Sequence, residues 1–379
     1  MAFFLRPITP TASNIRLSGK TAIVTGPTAG LGFDTCRQLM ELGCSTLILA
    51  CRDISKGFKT CETLLSEHSV RAKNEKPPSM KVMELDLGDF NSVQSFADKV
   101  KSEIPIVDIL ILNAGVGFVG NLQLSKDGHE ITLQTNYLSN ALLVLELLPH
   151  LQQSALQTRT QTKITWLGSR SAYESNLARN LSVESSIFQH MDDPKNYSVK
   201  DRYADTKLLS YIFMSTLAKR LSSSPPLSLD DDTPNDKNHN NQMGFSDRNT
   251  ESVIINMVCP GLIATDFTYK HLPLWAKLLV LLLLFLAART VEQGVWSIIN
   301  AVAVAGAESH GEFLLDKDVK AAPPFLSTPN GKRFRQQVWK ETMMQIGKIR
   351  TTGLRQSRPS LNFHISPAEK VIDPARNSI

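Results

Sequence analysis

The chain has 379 residues, of which 42% are hydrophobic and 20% are charged, so it carries enough apolar material for a large buried core and is not a disordered chain. Its length allows two domains or one large α/β domain. The formal net charge is +5, but residues 332–355 alone hold seven Lys or Arg against one Glu; the basic excess is confined to one stretch, and we expect no nucleic-acid partner.

The predicted elements alternate between strands and helices from residue 21 onward. The apolar run 21–24 predicts a buried strand, and residues 33–42, closed by Gly43, have the spacing of a helix. The alternation continues with strands predicted at 46–50, 80–85, 107–112, 163–167 and 253–258, and with helices at about 53–68 and 91–102. Such alternation predicts right-handed crossovers and a doubly wound parallel sheet of the Rossmann type, covered by helices on both faces.

The remaining segments bound or interrupt this α/β pattern. We interpret residues 1–17 as an N-terminal leader, 18–350 as a single dinucleotide-binding domain and 351–379 as a flexible C-terminal tail. Residues 222–250 are almost wholly Ser, Pro, Asp, Asn and similar polar types. Such a composition cannot bury enough surface to offset its ordering entropy, so we predict a disordered insertion before the last predicted strand.

A glycine-rich turn follows the first predicted strand and opens the first helix. It contains Thr25, Gly26, Gly30, Leu31 and Gly32. Glycines let a backbone approach a pyrophosphate, and the helix N-terminus offers free N–H groups and the positive end of the helix dipole. The spacing resembles the T-G-x-x-x-G-x-G loop of the short-chain dehydrogenase/reductase family.

Further motifs of that family occur in the same order along the chain. Asn113-Ala114-Gly115 resembles its N-A-G motif, Asp86 its adenine-contacting acid, and Tyr203 with Lys207 its Y-x-x-x-K pair. After the last predicted strand, the sequence from Cys259 to Thr265 resembles P-G-x-x-x-T. The resemblance covers about residues 18–345 and implies a catalytic set and a cofactor site. The implied cofactor-binding residues are Thr25, Gly26, Gly30, Leu31, Gly32, Arg52, Asp86, Asn113, Ala114, Gly115, Tyr203, Lys207, Pro260, Gly261, Ile263 and Thr265.

The spacing of Tyr203 and Lys207 suits proton transfer. Residues four apart share a helix face, so the Lys207 ammonium lies beside the Tyr203 phenol, and we expect it to lower the pKa of Tyr203. Ser169, directly after a predicted strand, would hydrogen-bond the substrate oxygen, with Ser171 as the alternative. By resemblance, Asn136 completes the set and helps to hold a water relay to Lys207.

The choice of cofactor depends on the end of the second predicted strand. NAD enzymes place an acidic residue there to bind the ribose hydroxyls. This chain has Cys51 at that position, followed by Arg52, which can bind a 2′-phosphate, and Asp53. NADP(H) is therefore predicted over NAD(H). The alternative for these residues is a solvated Arg52 and an Asp53 that caps the next helix.

The predicted reaction interconverts an alcohol and a carbonyl group. Within the family, Ala50-Cys51-Arg52 and the long gap from Ser169 to Tyr203 resemble the retinol-dehydrogenase-like branch. Residues 308–313 and the region of Trp339 resemble its fungal relatives, many of which serve secondary metabolism. We therefore expect an enzyme that acts on a small hydrophobic molecule. The alternatives are a non-catalytic dinucleotide-binding sensor or scaffold and a sugar-nucleotide epimerase or dehydratase.

Two segments bear on membrane contact. Residues 272–288 are strongly apolar, but the uninterrupted run 278–288 is about 16 Å long as a helix, half of a bilayer core, so we expect no transmembrane helix. We expect an apolar lid over the substrate, whose outer face could rest on a membrane; the alternative is a buried core helix. In the basic segment 332–355, apolar residues at helical spacing suggest weak peripheral binding to anionic lipid, the alternative being a solvated tail. These residues are Phe334, Val338, Trp339, Met343 and Ile346.

Cysteine and histidine usage excludes other classes of site. The five cysteines form no C-x-x-C motif and are odd in number, so no disulfide framework or cysteine zinc site is expected, and a reducing compartment, the cytoplasm or the cytoplasmic face of a membrane, fits. No histidine has a metal-ligand neighbour at suitable spacing, so we expect no metal. Nothing in the sequence indicates the oligomeric state.

Overall fold

The computed structural model describes residues 8–10, 14–67, 69–70, 78–117, 119–181, 185–223, 252–263 and 288–356. Within these residues lie eight strands: β1 Thr21–Thr25, β2 Thr46–Cys51, β3 Ser79–Glu84, β4 Ile109–Leu112, β5 Thr162–Leu167, β6 Val253–Cys259, β7 Phe313–Leu315 and β8 Asp318–Lys320. The helices are α1 Gly30–Glu41, α2 Ile54–Ser66, α3 Phe90–Glu103, α4 Ser139–Thr158, α5 Leu177–Asn180, α6 Ile187–Asp192, α7 Val199–Ser223, α8 Val291–Ile299 and α9 Pro329–Gln356.

The strands form one sheet in the order β3-β2-β1-β4-β5-β6-β7-β8. All neighbouring pairs are parallel except β7 and β8, which form an antiparallel hairpin at one edge. The strand order reverses direction between β1 and β4, and ligands of doubly wound sheets bind at such a switch point, outside the carboxyl ends of the strands. The predicted Rossmann-type sheet is confirmed, with β7 and β8 added to the six strands that the sequence predicted.

Both faces of the sheet are buried. Along β1, Ile23 belongs to one apolar cluster while Ala22 and Val24 belong to the other, because successive side chains of a strand point to opposite faces. Helices α3, α4 and α7 contribute to the first cluster, and α1 and α8 contribute to the second. This arrangement leaves the carboxyl edge of the sheet as the place where loops can form a site.

The basic C-terminal segment is part of the folded body. Phe334, Val338 and Ile346 of α9 are buried in the main apolar cluster, and Trp339 packs against it with its ring stacked on Phe213 at a centroid distance of 5.6 Å. The Tyr137 hydroxyl and the Thr342 hydroxyl are hydrogen-bonded at 2.5 Å, both buried. The expectation that this apolar face meets lipid, and the alternative of a solvated tail, are therefore both wrong: the face is covered by the protein itself.

Several predicted boundaries change or lie outside the described residues. Helix α7 continues through Ser222 and Ser223, so the polar insertion starts two residues later than predicted, and residues 224–250 are outside the described part. Helix α9 runs six residues past the predicted domain end at 350. Of the predicted lid, residues 272–287 lie outside the described residues, as does the tail from 357. No helix in the described part of the chain is long and apolar enough to cross a membrane.

Candidate active site

The glycine loop between β1 and α1 is too tight for larger side chains. Gly26 and Gly30 have φ angles of 65° and 55°, in the left-handed region that favours glycine. A Cβ on Gly32 would lie 2.1 Å from the Gly26 carbonyl oxygen. Ala29, at the N-cap of α1, offers no side-chain hydrogen bond, so no capping side chain fills the place where a phosphate would meet the helix N–H groups.

Thr25 and Asn113 join the ends of β1 and β4. The Thr25 hydroxyl accepts from the backbone N–H groups of Asn113, at 3.0 Å, and Ala114, at 2.9 Å. The Asn113 side-chain amide donates to the carbonyl oxygens of Thr25, at 2.8 Å, and Gly26, at 3.0 Å. Both side chains therefore shape the loop, and their contact with a cofactor stays a prediction.

At the end of β2, the side chains divide between structure and solvent. Cys51 is buried, and Asp53 caps α2 by accepting from the Lys56 N–H at 3.0 Å, as the helix-cap alternative predicted. Arg52 between them is exposed and makes no hydrogen bond or ion pair with the residues that the structure describes. Its guanidinium is thus available to a ligand.

Asp86 lies in the turn after β3, where its carboxylate is already in use. One oxygen accepts from the Gly88 N–H at 2.9 Å, and the Asp86 N–H donates to Ser92 Oγ at 2.9 Å. The next carbonyl, Leu87, accepts from the buried Ser139 hydroxyl at 2.7 Å. The turn is held on both sides, and its predicted adenine contact remains a prediction.

Asn136 lies in a π-helical turn, Gln134–Leu138, that leads into α4, a type of irregularity that often occurs at functional sites. Its side chain accepts from the Val116 N–H at 2.7 Å and donates to the Val116 carbonyl at 2.8 Å, and it reaches the Thr206 hydroxyl at 3.3 Å. A Cβ on Gly115 would lie 2.9 Å from the Asn136 oxygen. Asn136 thus anchors the loop after β4 beside α7; the water relay to Lys207 stays a prediction.

The Ser169 hydroxyl lies beside the Tyr203 phenol, close enough to favour its ionised form, and this pair lies at the centre of the site. Ser169 directly follows β5 and caps the short 3₁₀ turn Arg170–Tyr173, where its Oγ accepts from the Ser171 N–H at 3.3 Å. The Ser171 hydroxyl donates to Ser169 Oγ at 2.9 Å. Of the two serines that the sequence left open, Ser169 therefore touches the tyrosine, and Ser171 supports Ser169.

Lys207 lies on the same face of α7 as Tyr203. Its Nζ is 5.4 Å from the centroid of the Tyr203 ring and donates to the Leu167 carbonyl at 2.8 Å. Burial lowers the pKa of Lys207 to about 8. Desolvation raises the pKa of Tyr203 well above its ordinary value, and its hydrogen bond with Ser169 offsets this only in part. The expected lowering of the Tyr203 pKa is wrong, because loss of solvent around the phenol dominates.

The segment after β6 bends toward the loop at the other side of the site. Gly261 has a φ angle of 88°, and Ile263 forms an isolated parallel bridge with Arg289. A Cβ on Gly294 would lie 2.5 Å from Ile263 Cδ1 and 3.1 Å from Leu31 Cδ2, so both predicted cofactor residues pack at this point of α8. Pro260 is buried, and Thr265 lies outside the described residues.

Sequence reasoning missed two paired groups near the site. The Arg289 guanidinium binds Asp316 through both Nη atoms, with one distance of 3.0 Å, and so ties the chain that returns to Ile263 to the β7–β8 hairpin. Asp205, inside the Y-x-x-x-K motif, is buried and accepts from the Ser175 hydroxyl at 2.6 Å. Both pairs join residues far apart in sequence, so no local spacing indicated them.

The cysteines are buried in the part of the chain that the structure describes. All five cysteines are free and buried. Burial raises the pKa of Cys51 to about 11 and that of Cys61 to about 12, which is the behaviour of inert packing thiols. Among the described residues, no cluster of His, Cys, Asp or Glu could hold a metal ion.

Comparisons with known proteins agree with this fold. The chain resembles the 3-oxoacyl (acyl-carrier-protein) reductase from Agrobacterium tumefaciens, solved with NADP bound, at a TM-score of 0.54 and 18% identity, over 79% of this chain and 93% of that one. The carbonyl reductase from chicken fatty liver, solved with NADPH bound, matches at a TM-score of 0.53 and 16% identity, over 81% of this chain and 100% of that one. At these identities the likeness shows the fold.

Sequence similarity shows the family. A family model for short chain dehydrogenases matches residues 20–175. The chain is 39% identical to the short-chain dehydrogenase/reductase tropG of Talaromyces stipitatus, over 92% of this chain and 97% of that protein. It is 38% identical to the short chain dehydrogenase yanD of Aspergillus niger, with the same coverage. The chain belongs to the short-chain dehydrogenase/reductase family and is an oxidoreductase. The predicted resemblance to fungal members is confirmed.

Proposed function

We propose that this chain is an NADP(H)-dependent oxidoreductase that interconverts an alcohol and a carbonyl group on a hydrophobic small molecule, with Tyr203 as proton donor or acceptor. The observation that carries the proposal is the placement of the Ser169 hydroxyl beside the Tyr203 phenol, whose ionised form it favours. Lys207 lies on the same helix face, and these groups stand at the carboxyl edge of the sheet that also carries the glycine loop. Family membership supports the reaction class.

The residues at the switch point fit a dinucleotide with a 2′-phosphate. The tight loop at Gly32 and the uncapped start of α1 suit a pyrophosphate. Cys51 stands where an acid would bind the ribose hydroxyls, and the exposed Arg52 guanidinium suits a phosphate. Two solved proteins of this fold carry NADP or NADPH. NADP(H), when bound, supplies or accepts the hydride.

Side chains of this protein would transfer the proton to the substrate oxygen. Ser169 donates a hydrogen bond to the substrate oxygen and Tyr203 gives that oxygen its proton as the carbonyl carbon is reduced. Tyr203 is then left as a phenolate. The Lys207 ammonium, whose Nζ lies 5.4 Å from the Tyr203 ring centroid, stabilises this negative charge. Such proton transfer contributes about 10²–10⁴-fold to the rate.

The protonation state of Tyr203 suits its proposed role as a proton donor. Its pKa is raised by desolvation, so the hydroxyl holds its proton at neutral pH and is ready to donate it. Lys207, with a pKa lowered to about 8, still carries its charge at pH 7. Both protonation states fit the step in which a carbonyl group is reduced with NADPH.

The apolar composition of one segment indicates the substrate class. The apolar residues 272–288 follow the Pro260-Gly261 motif, where a lid of that composition would enclose a lipophilic molecule. A secondary-metabolite intermediate fits this chemistry. Weak contact of the same segment with a membrane stays a proposal, which co-flotation with anionic liposomes at low and high salt tests.

One assay tests both the activity and the role of Tyr203. NADPH oxidation is followed at the nicotinamide absorbance band with a panel of hydrophobic ketones and aldehydes. Tyr203→Phe keeps the ring and its packing but removes the titrating hydroxyl, so turnover should fall by at least about a hundredfold while NADPH still binds. Near-normal turnover of this variant contradicts the mechanism. Tight NADPH binding by the unmodified protein without turnover on any compound points to the sensor alternative.

A further inference from the structure

Asp205 is an acidic residue in the middle of the Tyr203–Lys207 motif that the proposed mechanism does not use. Residues two positions apart in an α-helix point about 200° away from each other, so Asp205 does not share the face on which Tyr203 and Lys207 lie. Its carboxylate is only 6% exposed and accepts from Ser175 Oγ at 2.6 Å. A carboxylate buried so far from solvent is costly unless a partner compensates it, and here the partner is a loop hydroxyl.

Ser175 ends the same loop that Ser169 begins. Between them runs the 3₁₀ turn Arg170–Tyr173, which packs against α7. Tyr203 faces the start of the loop at Ser169, and Asp205 holds its end through Ser175. Helix α7 therefore binds this loop at two points, and only the first of them is part of the proposed proton transfer.

The charges around Asp205 make its ionisation sensitive to pH. Arg202, 3% exposed, faces Asp205 and also lies with its Nε 3.6 Å from the carboxylate of the fully buried Glu130. The charge of this guanidinium acts on both carboxylates, although of the two only Glu130 lies within 4 Å of it, and Asp201 adds a further negative charge on α7. Desolvation raises the pKa of Asp205 to about 6, against the opposing effects of Ser175 and Arg202. The carboxyl is charged at pH 7 and neutral well below pH 6.

We propose that Asp205 is a positioning residue: through Ser175 it fixes the loop that carries Ser169 and so keeps Ser169 within hydrogen-bond reach of Tyr203. The inference rests on the proposed function, because it assigns Asp205 a part in placing the group that binds the substrate oxygen. Asp205 itself touches neither substrate nor cofactor.

A double-mutant cycle tests the contact. Single-turnover oxidation of bound NADPH is measured with 9,10-phenanthrenequinone, a bulky aromatic dicarbonyl, as the probe. Asp205→Ala and Ser175→Ala should each lower the rate by roughly tenfold or more, as expected for loss of a hydrogen bond to a charged group. Because both remove the same contact, the double variant should be no slower than the single ones. The Kd for NADPH should not change. Losses that multiply in the double variant overturn the proposal.

The pH profile separates positioning from a merely structural role. In the unmodified enzyme the rate should rise as pH passes through about 6, because a charged acceptor binds the Ser175 hydroxyl more strongly than a neutral one. Asp205→Asn keeps an acceptor oxygen without the charge, so this rise should vanish. Asp201→Asn, the same change one helical turn away, should keep both the rise and the rate at pH 7. A rise that persists in Asp205→Asn refutes the role of Asp205.

A second measurement does not depend on turnover. Amide hydrogen exchange of residues 170–176 in the NADPH-bound protein should be faster in Asp205→Ala, or in Asp205→Asn if the alanine variant does not fold, than in the unmodified protein at the same pH. Equal exchange rates overturn the proposal. Failure of the proposed function would give a different set of results: Tyr203→Phe would keep its activity, or no carbonyl probe would be reduced. The hydrogen-exchange rates of residues 170–176 do not depend on either outcome.

Discussion

Replacing Gly32 by Ala tests whether the glycine loop is shaped for the cofactor. The new Cβ would lie 2.1 Å from the Gly26 carbonyl oxygen and 2.5 Å from the Asn113 side-chain nitrogen. Ordinary contacts between carbon and such atoms are about 3.4 Å or more, so the Gly26 carbonyl must move by about 1 Å. That movement strains the hydrogen bond it accepts from Asn113, which joins β1 to β4.

The expected cost follows from these two effects. Overpacking of this kind costs about 1–3 kcal/mol, and a weakened hydrogen bond adds about 0.5–1.5 kcal/mol. Ala in place of Gly within a helix returns up to about 1 kcal/mol. We therefore expect a loss of about 0.5–4.5 kcal/mol in the free energy of unfolding. Because the strained carbonyl belongs to the phosphate loop, NADPH affinity should fall by about tenfold or more, equivalent to about 1.4 kcal/mol.

The matched control is Gly347→Ala, the same change in helix α9. A Cβ there meets no atom within 4 Å, so the variant should be as stable as the unmodified protein or slightly more stable. Urea unfolding measures stability, and quenching of tryptophan fluorescence by NADPH measures binding. If Gly32→Ala and Gly347→Ala give the same stability and the same NADPH affinity, the glycine loop accommodates a Cβ at position 32. That result would contradict the steric clash expected there.

Three further predictions concern the cofactor, the proton relay and the C-terminal helix. Arg52→Ala should weaken NADPH binding by about 1–3 kcal/mol in a titration and leave NADH nearly unaffected; equal losses would mean that Arg52 does not bind the 2′-phosphate. The rate of NADPH oxidation should fall as pH rises through about 8, where Lys207 loses its proton and its stabilising charge; a rate that stays constant to pH 10 contradicts this role. Trp339→Ala removes two contacts of the Trp339 ring: its stacking on Phe213 and its contact with the Arg220 guanidinium, which lies 4.5 Å from the ring centroid. The free energy of unfolding in urea should therefore fall by about 2–4 kcal/mol. Met344→Ala, on an exposed position of the same helix, should change stability by less than about 0.5 kcal/mol.

The sequence was sufficient for the elements that depend on local pattern. Strands such as Ile109–Leu112 are short apolar runs, and the turn at Gly26 has a spacing that few other structures need. Both patterns lie within a few residues, so they can be recognised without knowing how the rest of the chain folds. The short strands β7 and β8 carry no such signal, because three residues are too few for a periodic pattern.

Other properties depend on which distant residues meet, and local sequence patterns do not indicate them. The apolar positions of 332–355 have the same spacing whether they face lipid or protein, and only the contact of Trp339 with Phe213 shows that they face protein. The spacing of Tyr203 and Lys207 predicted a lowered pKa for the phenol, but burial by the surrounding loops reverses that direction. Asp205 and Ser175 are thirty positions apart and became partners only when α7 packed against the loop after β5. A sequence specifies the chemical groups and their local geometry, whereas desolvation and long-range pairing arise when the chain has closed around them.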